Sequence, residues 1–197
     1  KAADASRIRQ RFLMVHAPHK LSALERVLEA ETSEGVIIFA RTKAITITVA
    51  ESLEQHGYDV AVLNGDVPQA QRERTIERLK SGQVDVLVAT DVAGRGIHVE
   101  GVTHVINYDV PKNPEDYVHR IGRTGRAQAV GDAFTLVTPE NAQDVRDIER
   151  FIGQKIPELR LEGFDYKPLA PRPPQSAPER VRGMPAGTLR PRSGFRR

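Results

Sequence analysis

Several common features are missing from this sequence. It contains no cysteine, which excludes disulfides and thiolate metal sites and is compatible with a reducing cytoplasm. Its six histidines are scattered without the close pairing of a zinc site, so we expect no metal held by the protein. No apolar run approaches the roughly 18 residues of a membrane span, and we recognise no signal peptide. We therefore expect a cytoplasmic protein without membrane contact.

Acidic residues are scarce in one part of the chain. From Lys167 onward, seven arginines and one lysine stand against the single acid Glu179, a net charge of +7. Because the whole chain carries +3, residues 1–166 carry −4. Any nucleic-acid binding by the globular part must therefore come from local placement of charge and backbone amides.

Composition divides the 197 residues into three parts. Residues 1–6 lack periodicity and are predicted to be a linker, and the start on Lys1 suggests a piece of a longer protein. Residues 7–164 are long enough for one α/β domain. Residues 165–197 are rich in proline and arginine and are predicted to be disordered, because they bury too little apolar surface to offset ordering entropy. This tail is either an inert extension or an arm that binds nucleic-acid phosphates.

Apolar periodicity predicts alternating strands and helices. Continuous apolar runs at 36–40 and 84–89 are typical of strands buried on both faces. Further strands are predicted at 12–16, 60–63, 104–108 and 132–137, and helices at 20–31, 42–56, 68–81, 114–121 and 139–152. Strands separated by helices imply right-handed crossovers and a parallel sheet covered by helices on both faces. Ligands then belong at the carboxyl ends of the strands.

The string YVHRIGRTGR, residues 117–126, places three arginines at every third position with glycines between them. Each glycine costs about 1 kcal/mol relative to alanine in a helix interior, so the helix is predicted to loosen near Ile121. Arg123 and Arg126 then project from a turn, and their planar guanidinium groups suit a phosphate. A charge run alone would favour a solvated face. His119 and the glycine spacing favour a ligand.

This string resembles the last conserved motif of the DEAD-box RNA helicases. The resemblance covers about residues 8–156 and matches only the second of that family's two RecA-like domains. It implies a RecA-like parallel sheet in part of an ATP-dependent RNA helicase that unwinds duplexes locally, and we expect the bacterial RhlE-like branch. It also implies that Arg123 and Arg126 act as catalytic fingers on the ATP γ-phosphate, and that His119 and Arg120 couple the two domains.

Two further motifs imply contacts to the RNA backbone. IIFARTK, at 37–43, exposes Thr42 after a buried strand, and its Phe39 matches a phenylalanine that packs beside the fingers in the family. NGDVPQAQRER, at 64–74, joins a tight turn to a helix amino end, where amides and helix dipole attract phosphate. The implied RNA contacts are Thr42, Gly65, Gln69 and Arg72. The alternative is a charged solvent face with Arg72 pairing locally. The family usually has His in place of Asn64.

ATDVAGRGIHVEGV, at 89–102, is also diagnostic. The resemblance implies that Thr90 touches RNA phosphate, that Gly96 lies against the nucleotide and that Arg95 couples the domains. The chain has His98 where the family has an aspartate that reaches the ATP ribose, so His98 is a candidate nucleotide contact that departs from the pattern. HVINYDVP, at 104–111, follows as the family's linking motif.

The sequence has no G-x-x-x-x-G-K-[ST] loop, no Asp-Glu-Ala-Asp and no adenine-reading glutamine motif. We therefore expect no ATPase activity from this chain alone, with ATP and Mg²⁺ held mainly by an N-terminal RecA-like domain. The expected partners are RNA and that domain. Two alternatives stay open, a related helicase acting on DNA and a stand-alone RNA-binding or partner-docking module.

Overall fold

The computed structural model describes residues 7–95, 99, 102–125 and 129–167. Six strands run through this part of the chain: β1 (Ile8–Met14), β2 (Val36–Phe39), β3 (Val60–Leu63), β4 (Val86–Ala89), β5 (His104–Asn107) and β6 (Gly131–Val137). They form one parallel sheet in the order β1-β6-β5-β2-β4-β3. The predicted parallel sheet is confirmed.

Helices cover both faces of this sheet. They are α1 (Lys20–Ala30), α2 (Lys43–Gln55), α3 (Gln69–Lys80), α4 (Asp91–Gly94), α5 (Pro114–Ile121) and α6 (Ala142–Ile152), with short 3-10 turns at Ala17–His19 and Pro139–Asn141. One face packs on α1 and α2, and the other packs on α3 to α6. Neighbouring residues of β2 therefore serve opposite cores, since Ile38 faces α1 and α2 while Ile37 faces α3 and α4. This explains the continuous apolar run.

The first strand differs from its prediction. It begins at Ile8 rather than at Phe12, because its first half is polar at Arg9, Gln10 and Arg11 and carries no apolar run. β1 lies at the edge of the sheet and pairs in register with β6. Arg9 and Arg11 both contact Asp132 of β6, at 2.9 and 3.2 Å. Charge pairing with the neighbouring strand therefore accompanies the burial of Ile8 at this end of β1.

The segment that follows α6 returns to the edge strand. Phe12 of β1 donates its amide to Pro157 O at 3.0 Å and accepts at its carbonyl from the Leu159 amide at 2.8 Å. Phe164 and Tyr166 then pack against the core beneath α1, and the carbonyl of Lys167 lies 2.9 Å from His19 Nε2. The boundary expected at residue 165 thus falls inside a packed segment. The predicted disorder of the remaining tail, 168–197, lies outside the described residues.

None of the described helices combines the length and the apolar character that crossing a membrane requires.

Candidate functional site

The motif residues gather at the carboxyl edge of the sheet. Thr42 follows β2, Gly65 follows β3, Thr90 follows β4 and Asp109 follows β5. Because all strands are parallel, these positions meet at one edge. The Thr90 amide also donates to Leu63 O at 3.1 Å and so ties the end of β4 to the end of β3. These motif positions therefore lie at the carboxyl edge of the sheet, as the sequence predicted.

A small cleft at this edge collects the residues expected to meet the nucleotide and the other domain. It is lined by Phe39, Asp91, Gly94, Arg95, Asp116, His119, Arg120 and Arg123. His119 and Arg95 are exposed, and Arg123 is partly buried. The other three predicted nucleotide residues, Gly96, His98 and Arg126, lie outside the described residues.

Arg120 forms the floor of this cleft. Its side chain is only 4% exposed, and its Nε and Nη2 donate to the two carboxylate oxygens of Asp91, each at 2.6 Å. Nη1 donates to Asn107 Oδ1 at 3.2 Å and to Asp109 O at 2.8 Å. Such a bidentate charge-assisted pair is among the strong hydrogen-bond arrangements in proteins. Arg120 therefore joins the ends of β4 and β5 within this domain, and the coupling between domains that the resemblance implied for it stays a prediction.

Helix α5 is anchored on a second side by Tyr117. Its side chain is 1% exposed, and its hydroxyl donates to Gln10 Oε1 of β1 at 2.7 Å. Burial raises the pKa of Tyr117, so the hydroxyl stays a donor. The helix ends at Ile121, as predicted, and Gly125 adopts a φ of +71°. Arg123 therefore sits in a turn directly after a helix held by buried side chains.

Gly94 and Phe39 meet closely at the wall of the cleft. A Cβ built on Gly94 would lie 2.6 Å from Cε1 of Phe39, closer than van der Waals contact permits. Phe39 is 2% exposed and belongs to the core beside β4. Phe39 is thus both ordinary core and a wall of the cleft. The sequence did not predict the one-turn helix α4 that brings Gly94 here, because four residues give no helical period.

The turn after β3 is held by its own side chains. Asn64 is 6% exposed, and its Oδ1 accepts from the Asp66 amide at 3.0 Å, an Asx turn that leaves Gly65 at the surface. Asp66 in turn pairs with Lys43, at the start of α2. The departure from the family pattern at Asn64 therefore has a local structural role.

The two helices expected to contact RNA begin at this edge. Thr42 caps α2, with its Oγ1 accepting from the Ile45 amide at 3.2 Å. Gln69 opens α3 and is exposed. Arg72 donates from Nε to Val67 O at 3.0 Å and from Nη2 to Asn64 O at 3.4 Å. The local pairing of Arg72 that the sequence left open is therefore present, and its RNA contact stays a prediction.

Sequence reasoning missed Lys20. Its side chain is 10% exposed, and its Nζ lies 2.6 Å from Asp109 Oδ1. The same Nζ lies 4.5 Å from the ring centroid of Tyr108, whose pKa rises to about 12, mainly through burial and secondarily through Asp109. Lys20 lies outside every motif and 89 positions from its partner. No local pattern could have signalled this pair.

One group of possible metal ligands lies at the opposite edge. Glu31, His104 and Asp132 place one ligand atom each within 4.8 Å of one another. Arg9 and Arg11 already contact Asp132 at 2.9 and 3.2 Å, and Arg11 also contacts Glu31 at 3.5 Å. Because these guanidinium groups already contact the two carboxylates, a divalent cation would have to displace them. We assign no metal to this group.

Comparison with known proteins gives the family. Residues 19–128 match the helicase conserved C-terminal domain. The ATP-dependent RNA helicase DeaD of Mycobacterium tuberculosis (strain CDC 1551 / Oshkosh) is 49% identical over 82% of this chain and 28% of its own length. RhlB of Xanthomonas axonopodis pv. citri is 45% identical over 91% of this chain and 32% of its own length. The chain thus spans about a third or less of these relatives.

A solved structure shows which helicase domain this chain resembles. The E. coli DEAD-box protein SrmB, bound to regulator of ribonuclease activity A, superposes with a TM-score of 0.77 and 34% identity. The match covers 84% of this chain and 98% of that one. DeaD, RhlB and SrmB do not single out the RhlE-like branch, which stays a prediction. The chain belongs to the helicase conserved C-terminal domain family, and it is the C-terminal RecA-like domain of a bacterial DEAD-box helicase.

Proposed function

We propose that this domain completes the ATP site of an ATP-dependent RNA helicase and holds part of the RNA backbone during local unwinding. In this proposal Arg123 and Arg126 reach the γ-phosphate of an ATP bound by an N-terminal RecA-like domain. The supporting observation is the Arg120–Asp91 pair at 2.6 Å, which fixes α5 so that Arg123 follows at the cleft. Hydrogen-bond donors held rigidly where charge develops in a transition state lower its energy.

Two carboxylates at this edge are already engaged, which supports placing Mg²⁺ in the other domain. Asp91 is engaged by Arg120, and Asp109 is engaged by Lys20 at 2.6 Å and by the Arg41 amide at 2.7 Å. Each of their four oxygens therefore already accepts a hydrogen bond and is less available to Mg²⁺, which prefers oxygen ligands. The guanidinium groups suit the triphosphate of ATP, which contains the bond that is cleaved. This domain would therefore contribute cations to the phosphate, while magnesium carboxylates come from the N-terminal domain.

The proposed RNA contacts occupy the part of the edge formed by β2, β4 and β3. Thr42 and Gln69 lie at helix amino ends, where the helix dipole favours phosphate oxygens. Gly65 is exposed, and a Cβ built there meets nothing within 4 Å, so a strand of RNA has room to approach its backbone. Thr90 would add a hydroxyl contact to the RNA backbone. Arg72 would have to break part of its local hydrogen bonding to bind RNA.

The tail would add affinity that does not depend on RNA sequence. Glu158 pairs in parallel with Phe12 of β1, and the packed segment ends at Lys167 beside His19. His19 lies just past the carboxyl end of β1, on the same edge as the proposed RNA contacts. The described chain therefore ends at the edge where RNA phosphates would lie, which supports the RNA-binding arm over an inert extension.

A comparison of the full-length protein with the 197-residue chain tests this proposal. The full-length protein should hydrolyse ATP in response to RNA, and the chain alone should not. Turnover by the chain alone would overturn the assignment of the phosphate loop and magnesium to another domain. A full-length protein that binds RNA and never hydrolyses ATP would favour the stand-alone binding module.

A further inference from the structure

A network of polar contacts crosses the carboxyl edge from β1 to β2, and it begins at a residue outside every motif. Lys20 opens α1 just after β1, and its Nζ reaches Asp109 Oδ1 at 2.6 Å. Asp109 follows β5, which is two places from β1 in the sheet. The other carboxylate oxygen of Asp109, Oδ2, accepts from the Arg41 amide at 2.7 Å.

The Arg41 amide marks the point where the chain leaves the sheet. The preceding amide, that of Ala40, still donates to Ala89 O of β4 at 2.9 Å. The Arg41 amide donates instead to Asp109, and the Arg41 guanidinium donates to Val110 O at 3.3 Å. Thr42 comes next and caps α2. The backbone that leads into Thr42 is therefore tied to the carboxylate of Asp109.

We propose that Lys20 is a positioning residue for RNA binding, acting through Asp109 on the Arg41–Thr42 turn. This inference rests on the function proposed above. Lys20 orients the carboxylate so that Oδ2 faces the Arg41 amide, and it neutralises a charge that would otherwise repel RNA phosphates at this edge.

Fold stability alone is a poor reason for this pair. Lys20 and Asp109 are 10% and 12% exposed at the side chain, so both lose most of their hydration on folding. Apolar residues of similar volume often replace such a pair without loss of stability. A charged pair that also fixes a neighbouring backbone amide has a role that an apolar pair cannot fill.

The test compares Lys20→Met with Lys20→Arg in the full-length protein, using RNA-stimulated ATP turnover with a single-stranded oligouridylate. Methionine keeps the length of the stem and removes the charge. Loss of a charge-assisted hydrogen bond should raise the apparent KM for RNA about tenfold, with kcat within about twofold of the parent. Lys20→Arg should behave as the parent. Lys80→Met removes an exposed lysine from the carboxyl end of α3 and should leave both constants unchanged.

A double variant separates positioning from direct contact. In Lys20→Met/Asp109→Asn the asparagine Oδ1 can still accept from the Arg41 amide, and no uncompensated charge remains. The apparent KM should recover most of the way toward the parent value. If the double variant stays as weak as Lys20→Met, Lys20 contacts RNA itself and the positioning role is wrong. If Lys20→Met keeps the parent KM, the pair serves only the fold.

Amide hydrogen exchange in the 197-residue chain tests the inference without any turnover. The Arg41 amide should exchange faster in Lys20→Met than in the parent, and Lys20→Arg should restore its protection. Unchanged Arg41 exchange in Lys20→Met would overturn the inference. Absence of RNA-stimulated turnover in the parent full-length protein would instead count against the proposed function.

Discussion

The guanidinium of Arg120 holds the Asp91 carboxylate by two parallel hydrogen bonds of 2.6 Å each. Arg120 lies on α5, and Asp91 opens α4 directly after β4. This single pair therefore fixes the distance between the two motifs that line the cleft. Its side chains differ in burial, since Arg120 is 4% exposed and Asp91 is 33% exposed.

Arg120→Ala in the 197-residue chain should lower the free energy of unfolding by about 3 kcal/mol, because removing one partner leaves a partly buried carboxylate unpaired. Urea denaturation measures this loss. Arg146→Ala, which removes an exposed arginine from α6, is the matched control and should change stability by about 0.5 kcal/mol or less. Equal effects of the two substitutions would mean that the buried pair contributes nothing to the fold.

Gly94→Ala should destabilise the domain by about 1–3 kcal/mol through overpacking, although alanine favours helix over glycine. The added methyl would lie 2.6 Å from Phe39 Cε1, and Phe39 has little room to move because it is 2% exposed. Gly65→Ala is the control, since a Cβ there meets nothing within 4 Å. Thermal unfolding compares them. A Gly94→Ala domain as stable as the parent would show that the Phe39 ring shifts freely.

Residues 168–197 can be removed without touching the packed segment that ends at Lys167. They contain seven arginines, and each phosphate neutralised on a single strand contributes roughly 0.7 to the slope of log affinity against log salt. Engagement of about half of these arginines predicts a slope that is shallower by about 2 to 3. RNA affinity measured across salt concentrations checks this. An unchanged slope would identify an inert tail.

Several features of this domain could be predicted from sequence, and others could not, for physical reasons. β2 and β4 were recognisable because burial on both faces demands continuous apolar runs. The first half of β1 was not, because Arg9 and Arg11 are satisfied by Asp132, a residue of a distant strand. Lys20 was missed for the same reason, because its partner Asp109 is distant in sequence. Long-range charge pairing leaves no local period.

The candidate site divides in the same way. Its residue types were predicted from the motif strings, and the parallel topology brings those that the structure describes to one edge. Two pairings could not be predicted, that of Arg120 with Asp91 and that of Asn64 with the Asp66 amide. Both depend on the loop conformations that the folded chain adopts. The sequence suggested an RNA contact at Arg72 and interdomain coupling at Arg120, and in the structure both side chains hold parts of this site together.

His98→Asp in the full-length protein should lower the apparent KM for ATP and leave kcat little changed. Aspartate would accept from a ribose hydroxyl as an anion, and hydrogen bonds to charged groups contribute about 1.5–3 kcal/mol against about 1 for neutral ones. Neutral histidine offers one acceptor on a bulkier ring. ATP titrations at saturating RNA measure the change. A KM that stays the same or rises would mean that His98 replaces the aspartate adequately or serves another contact.

The finger role is tested most directly by RNA-stimulated ATP turnover of full-length Arg123→Ala and Arg126→Ala, measured at saturating RNA and ATP. Arg150→Ala, which removes an arginine whose side chain is 78% exposed on α6, is the control and should keep parent turnover. If the two arginines stabilise the transferring phosphate, each substitution should lower kcat by a factor on the order of 10³ to 10⁵, as arginine fingers do in other phosphoryl transfers, while RNA affinity changes far less. Near-parent turnover in both variants would contradict the account.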